Sequence, residues 1–291
     1  MLIRIVSILF PLFAITALGY FVGRRMKPDL SHANKLNMDV FVPALVFAAL
    51  ANKDFRIAEF VPLTFATLAV VLGSGLAGWL LARAAGVAPR TLVPPLMFNN
   101  CGNLGLPLAV LAFGDAALAP AVVMFMVSNL LHFSFGAWLL DHRIRIWTVW
   151  KVPSVLATLA GLAVGIAGIE VWPPLMTAIR MLGDISIPLM LFALGVRLTD
   201  SRITSVGLGV FAAVARPVAG MLLALGAMAL IPLPPREQAL LLVFGALPPA
   251  VLNYIFAERY HQEPEKVASM VLIGNLAALL FLPLALALSL P

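Results

Sequence analysis

Along this chain apolar residues do not alternate with polar ones; they run on for about twenty positions at a time and are cut by short polar joints. Such runs match the ~20 residues that a helix, rising ~1.5 Å per residue, needs to cross a ~30 Å hydrocarbon core. Ten can be marked, at 5–23, 36–52, 60–82, 92–113, 117–140, 152–169, 174–196, 206–231, 238–257 and 267–288. The pattern predicts an all-α polytopic membrane protein with ten transmembrane helices.

Two runs are interrupted at their centres. The fourth contains FNNCGNLGLP at 98–107, with three asparagines, two glycines and a proline at membrane depth. Pro107 has no N–H for the carbonyl of Asn103, and Gly102 and Gly105 weaken the helix around it, so a break is predicted here. The ninth run reads FGALPPAVLN at its centre, where Pro248 and Pro249 remove the donors to the carbonyls of Phe244 and Gly245. Backbone freed at this depth is tolerated only inside protein or beside a watery cavity, so both interruptions mark an interior site.

The two interruptions are related by an internal repeat. A shift of 142 residues lays Pro11, Thr16, Gly19, Val22 and Gly23 on Pro153, Thr158, Gly161, Val164 and Gly165. A shift of 145 lays Asp39, Pro43, Phe47 and Ala48 on Asp184, Pro188, Phe192 and Ala193, and one of 146 lays Met124, Asn129 and Leu130 on Met270, Asn275 and Leu276. Five runs per repeat is an odd number, so the second repeat enters the membrane from the opposite side. The expected organisation is a five-helix repeat at 1–140, a joint at 141–151 and an inverted five-helix repeat at 152–291. Inverted repeats with a broken helix in each half point to a transporter site near the midplane.

Composition agrees with a membrane class: 62% of residues are hydrophobic, 11% are charged and the mean hydropathy is +1.04. The net charge of +6 lies in the joints, where it encodes orientation and not a nucleic-acid partner. One set of alternate joints holds thirteen basic residues: Arg24, Arg25, Lys27, Lys35, Arg83, Arg90, Arg143, Arg145, Lys151, Arg197, Arg202, Arg259 and Lys266. The other holds Arg4, Lys53, Arg56, Arg180 and Arg236, and Arg216 alone falls inside a run. The richer side is expected in the cytoplasm, which leaves both termini outside. The first run is followed, not preceded, by its main charge and reads as a retained span.

Candidate chemistry clusters at the interruptions. Asn99, Asn100 and Asn103 offer donors and acceptors to a carboxylate, a cation or freed carbonyls, and Asn253 stands just past the second interruption. Interhelical hydrogen bonding is the plainer role for each. Asn129 and Asn275 are repeat-related and could orient the crossing or line an ion site. Asp39 and Asp184 each precede a proline by four residues, as caps near a bend or as intramembrane acids for ion coupling. Arg216 needs a compensating partner, and the freed carbonyls or a substrate carboxylate could supply it. Cys101 is the single cysteine. The four histidines show no metal-ligand spacing, and no phosphate loop or nucleophile elbow is present, so no cofactor, metal or enzymatic role is expected.

NKLNMDVFVPALVF in the second run, NNCGNLGLPL in the fourth, DISIPLMLFALGVRL in the seventh and PPAVLNYIFAERY in the ninth resemble the auxin efflux carrier family of bacterial permeases and plant exporters. The resemblance covers essentially the whole chain. It implies a fold like that of bile acid sodium symporters, with a scaffold of spans one, two, six and seven and a transport domain of the other six. The broken helices would cross in the transport domain and bind substrate there, and a homodimer would form through the scaffold. The short joint at 141–151 replaces the long central loop of plant exporters and favours the bacterial branch, whose members are often malonate transporters. The reading is thus a secondary active transporter of a small organic anion in the bacterial inner membrane, working by an elevator-type alternating access. A sodium-coupled symporter, with sodium or protons as the driving ion, and a non-transporting membrane enzyme or sensor stand as alternatives.

Overall fold

The computed structural model describes residues 1–51, 57–144, 146–199 and 203–290. Lys53, Arg56, Arg145 and Arg202, counted above for orientation, lie outside them. Among the described residues helix is the only regular secondary structure, in twelve main pieces. They are α1 (Leu2–Met26), α2 (Ser31–Leu50), α3 (Ala58–Ala85), α4 (Pro89–Met97), α5 (Cys101–Phe113), α6 (Asp115–Leu140), α7 (Pro153–Ile166), α8 (Pro173–Arg197), α9 (Val206–Leu230), α10 (Pro235–Ala246), α11 (Val251–Arg259) and α12 (Pro264–Ser289). Seven of these, α1, α2, α3, α6, α8, α9 and α12, are long and apolar enough to cross a membrane. Their outer faces carry large exposed apolar side chains such as Phe10, Leu80, Leu222 and Leu280, the surface expected against lipid.

Prolines punctuate the helices without destroying them. Pro89, Pro153, Pro173, Pro235 and Pro264 stand in first turns, and Pro62 in the first turn of the α-helical part of α3 that starts at Val61, where the missing N–H is least needed. Three helices widen instead into single π-turns: Asn37–Phe41 in α2, Cys101–Gly105 in α5 and His132–Gly136 in α6. Two of these turns run directly into a proline, Pro43 and Pro107.

That widening corrects one expectation. The first interruption does not fall at Pro107 but at Phe98–Asn100, between α4 and α5, and Gly102 and Gly105 lie inside the π-turn that follows. In the wide register Leu106 donates to the Cys101 carbonyl, and Pro107 becomes a first-turn residue of the helix beyond, where it is tolerated. The second interruption lies where the sequence predicts it, at Leu247–Ala250 between α10 and α11.

Packing sorts the helices into two groups. α1 runs along α8, and α2 packs on α7 and α8. In the other group α9 packs on α12, α10 and α3, while α3 also packs on α4 and α6. The approach of α1 to α8 is close enough for backbone contact, because a Cβ on Gly19 would run into the Phe192 carbonyl and one on Gly195 into that of Thr16.

Candidate functional site

The two interruptions meet. Phe98–Asn100 and Pro248–Ala250 lie side by side as a short antiparallel pair, with Asn100 donating its N–H to the Pro248 carbonyl at 2.8 Å and Ala250 donating to that of Phe98 at 3.0 Å. Each break therefore supplies backbone partners that the other has lost from its helix. Buried backbone groups demand such partners, and here they come from about 150 residues away in sequence.

Side chains satisfy what the prolines released. Pro248 cannot donate to Phe244, and the Asn99 amide does so instead at 2.6 Å. Pro249 cannot donate to Gly245, and the fully buried Arg216 guanidinium fills that role through Nη1 at 3.2 Å. Asn253 donates to the Phe98 carbonyl at 2.9 Å. Asn275 donates to the carbonyls of Pro249 and Val271 and accepts from Asn100 at 3.1 Å. Four of the five residues expected to bind substrate thus hold the crossing together through their amide or guanidinium groups. A side chain that donates at one end can still present its other atoms, and the Asn99 Oδ1 has no partner among the described residues.

Beside the crossing lies a cavity of about 200 Å³. Its floor is the start of α5, from Asn100 to Asn103, and the start of α11, from Ala250 to Leu252. Its walls include Asn34 and Asn37 of α2, Ser128, Asn129 and His132 of α6, and Arg197 at the end of α8. All three π-turns reach it, through Asn37, Cys101 and His132. π-turns place side chains off the regular helical positions and often mark functional sites. The first N–H groups of a helix have no acceptor within it, and the helix dipole adds partial positive charge there. Two such ends, a guanidinium and several amides line one space whose chemistry suits an anion.

The expected site residues divide as follows. Asn99, Asn100, Asn103 and Asn129 line the cavity, with Asn129 also donating to Ser154 at 3.2 Å. Asn253, Asn275 and Arg216 lie in the crossing behind it, so Arg216 is a brace of the second break and not a wall of the cavity. Asp39 and Asp184 are exposed and outside the cavity, and the structure does not bring them to the site. Sequence reasoning missed Asn34, Asn37, Arg197 and His132. Asn34, Asn37 and Arg197 stand in stretches quoted for their resemblance without being singled out as site residues, and Arg197 counts otherwise only as a topological charge.

Comparison with known proteins now bears on this geometry. A family described as membrane transport protein matches residues 4–149 and 142–286, nearly the whole chain. The chain belongs to this family. It is the auxin efflux carrier family of the resemblance above, so the protein is of a membrane transport family. A Rhizobium meliloti (strain 1021) protein named "Putative malonate transporter" is 26% identical over 214 residues, which are 67% of this chain and 67% of that one.

Proposed function

We propose that this protein is a secondary active transporter of small carboxylate anions, with dicarboxylates of the malonate type as the leading class, and not an enzyme. The observation that carries the reading is the convergence of two half-helix N-termini, at 101–103 and 250–252, on one cavity. At about 200 Å³ the cavity is smaller than the ~300–1,000 Å³ pockets of drug-sized ligands, which favours a small anion over a sterol-sized one. The malonate relative points to the same class.

The proposed architecture has ten spans in two inverted repeats, α4–α5 and α10–α11 each forming one broken span. The two packing groups support a division into a scaffold (α1, α2, α7, α8) and a transport domain (the rest), with a homodimer through the scaffold. The cavity lies between the groups, walled by α2 and α8 on one side and by α5, α6 and α11 on the other. Sliding one group against the other would carry the crossing, and the anion on it, from face to face. In the bacterial inner membrane the basic joints would be cytoplasmic and the termini periplasmic. Asn34 and Arg197 sit beside basic joints, so the structure is read as the inward-facing state.

Counterflow in proteoliposomes tests this. Labelled malonate should accumulate in vesicles preloaded with unlabelled malonate and not in empty ones. Binding without counterflow would favour a sensor, and counterflow only with sodium would favour the sodium-coupled alternative.

A further inference from the structure

One wall of the cavity carries a buried histidine. His132 opens the π-turn of α6, is 4% exposed and lines the cavity. Its ring stacks on Phe98 at 4.1 Å and 6° from parallel, and meets Phe256 edge-on at 5.1 Å. Gly136, one turn on, makes room for the Phe98 ring, which a Cβ there would strike. The imidazole is therefore clamped against the residue whose carbonyl joins the two breaks. Its Nε2 has no hydrogen-bond partner among the described residues, and neither has the Oδ1 of Asn253, its polar neighbour on α11.

We infer that His132 is the proton-binding group of the anion site, taking up a proton as a carboxylate binds and coupling anion movement to proton movement. The inference rests on the anion-transport reading above. Of the residues lining the cavity, His132 alone carries a side chain of the type that can pass from neutral to positive by taking up one proton, an imidazole. Arg197 keeps its charge throughout, and Cys101 could only become negative. The ionisable groups on the surrounding elements are Arg180, Asp184 and Arg197 of α8, Cys101 of α5, His32, Lys35 and Asp39 of α2, Lys151 of the turn before α7, Tyr254, Glu258 and Arg259 of α11 with Tyr260 just past it, and Asp115 at the far end of α6 itself. Only Arg197 and Cys101 share the cavity with His132. Protonation places an N–H on both ring nitrogens whatever the starting tautomer, and so gives the Asn253 Oδ1 a donor. It also puts a cation between two aromatic rings, which favours the charged form once an anion is near.

The step is a protonation alone: a proton from the cavity-side solution bonds to the imidazole nitrogen, and it leaves when the anion leaves. Proton uptake on binding requires, by reciprocity, that anion affinity rise as pH falls, by at most about tenfold per pH unit for one proton. His132 and Arg197 belong to different packing groups, α6 and α8. In an elevator-type movement the proton on His132 would travel with the anion while Arg197 stayed behind.

The test is calorimetric titration of the purified full chain with malonate near neutral pH, in two buffers of different ionisation enthalpy. The expected result is uptake of about one proton per malonate by the wild type, and weaker malonate binding with no proton uptake in His132→Gln. Binding without uptake in the wild type, or undiminished uptake in the variant, would overturn the inference and leave the transport reading standing. Failure to bind malonate at any pH would overturn the malonate reading and the inference with it. A second measurement covers a variant that does not fold. Replacing the exposed His32, His142 and His261 by Gln leaves one histidine, whose ring carbon resonances should move toward the imidazolium position when malonate is added. Unmoved resonances in a malonate-bound sample would also overturn the inference.

Discussion

The two breaks do the same job with opposite chemistry. The second, Leu247–Ala250, carries two prolines and no polar side chain, so it leaves carbonyls unmet and has only the Ala250 N–H to give across the crossing. The first, Phe98–Asn100, carries two asparagines and no proline, so it keeps its N–H groups and brings spare donors. Asn99 serves Phe244, the N–H of Asn100 serves Pro248, and Arg216 covers the remaining orphan at Gly245. A crossing made of two polar breaks or of two proline breaks would fail in this respect. The deficit of one half is matched to the surplus of the other.

The largest expected effect lies where Arg216 reaches the second break. Gly220 packs on the Gly245 backbone so closely that a Cβ would strike both that carbonyl and the guanidinium. Gly220→Val should cost more than ~3 kcal/mol, at or beyond the upper end for overpacking, because backbone cannot move aside as a side chain does. The expected readout is loss of the monodisperse species on size exclusion. A stable, monodisperse variant would mean that the second break tolerates displacement and that Arg216 is not holding it.

Next in size is the contrast between prolines. Replacing Pro248 and Pro249 by alanine restores two donors and relieves a ~3 kcal/mol bias against helix per proline, so α10 and α11 can fuse and transport should be lost with insertion intact. Pro107→Ala should leave uptake near wild type, since Pro107 lies a turn beyond the break. Equal loss in both variants would put the functional break of the first half back at Pro107. Smaller again is the contrast between amides. Asn99→Ala leaves the Phe244 carbonyl with only a backbone donor at 3.4 Å and should cost about 1–3 kcal/mol. Asn253→Ala should cost about 1 kcal/mol, because Ala250 still serves the Phe98 carbonyl at 3.0 Å. Thermal unfolding in detergent reads both, and equal losses would contradict the proposed complementarity.

Much of this is legible in the sequence. Run lengths locate the helices, because bilayer thickness sets them, and the Pro248–Pro249 break can be read directly because a missing donor is a local fact. The first break is misplaced by several residues since its cause is not local: Phe98–Asn100 is extended because Pro248 and Ala250 lie beside it. The π-turn at Cys101–Gly105, which absorbs Pro107, has no reliable signature in single residues. The cavity was least legible. Asn34, Asn37, Arg197 and His132 come from three helices whose registers meet only in three dimensions, and each has an ordinary role when read alone. Arg216 was legible as a buried charge needing either freed carbonyls or a substrate carboxylate, because the interiors of runs three, four, five, eight, nine and ten hold no acid; the structure shows the carbonyl of Gly245 as its partner.

The smallest effect concerns the outer end of the same two broken helices. Thr91, in the first turn of α4, donates its hydroxyl to Glu263 in the joint between α11 and α12, and Glu263 also pairs with Lys266. This latch ties the start of the first broken helix to the joint that follows the second, on the side of the basic joints. The Lys266 ammonium and then the Thr91 hydroxyl hold the Glu263 carboxyl below the usual carboxylate range. A carboxyl depressed in the folded state contributes stability above its unfolded pKa of about 4.3, and that contribution is lost as pH falls through the folded value. Glu263 is partly exposed, so solvent and salt screen the latch and its contribution is small. Thr91→Val keeps the shape of the side chain and removes the donor. The variant should melt slightly below wild type at neutral pH, and the difference should vanish in acid once Glu263 is protonated. Detergent melting curves across that range check it, and a difference that persists in acid would assign the effect to packing around Thr91, leaving the crossing to be held from its centre alone.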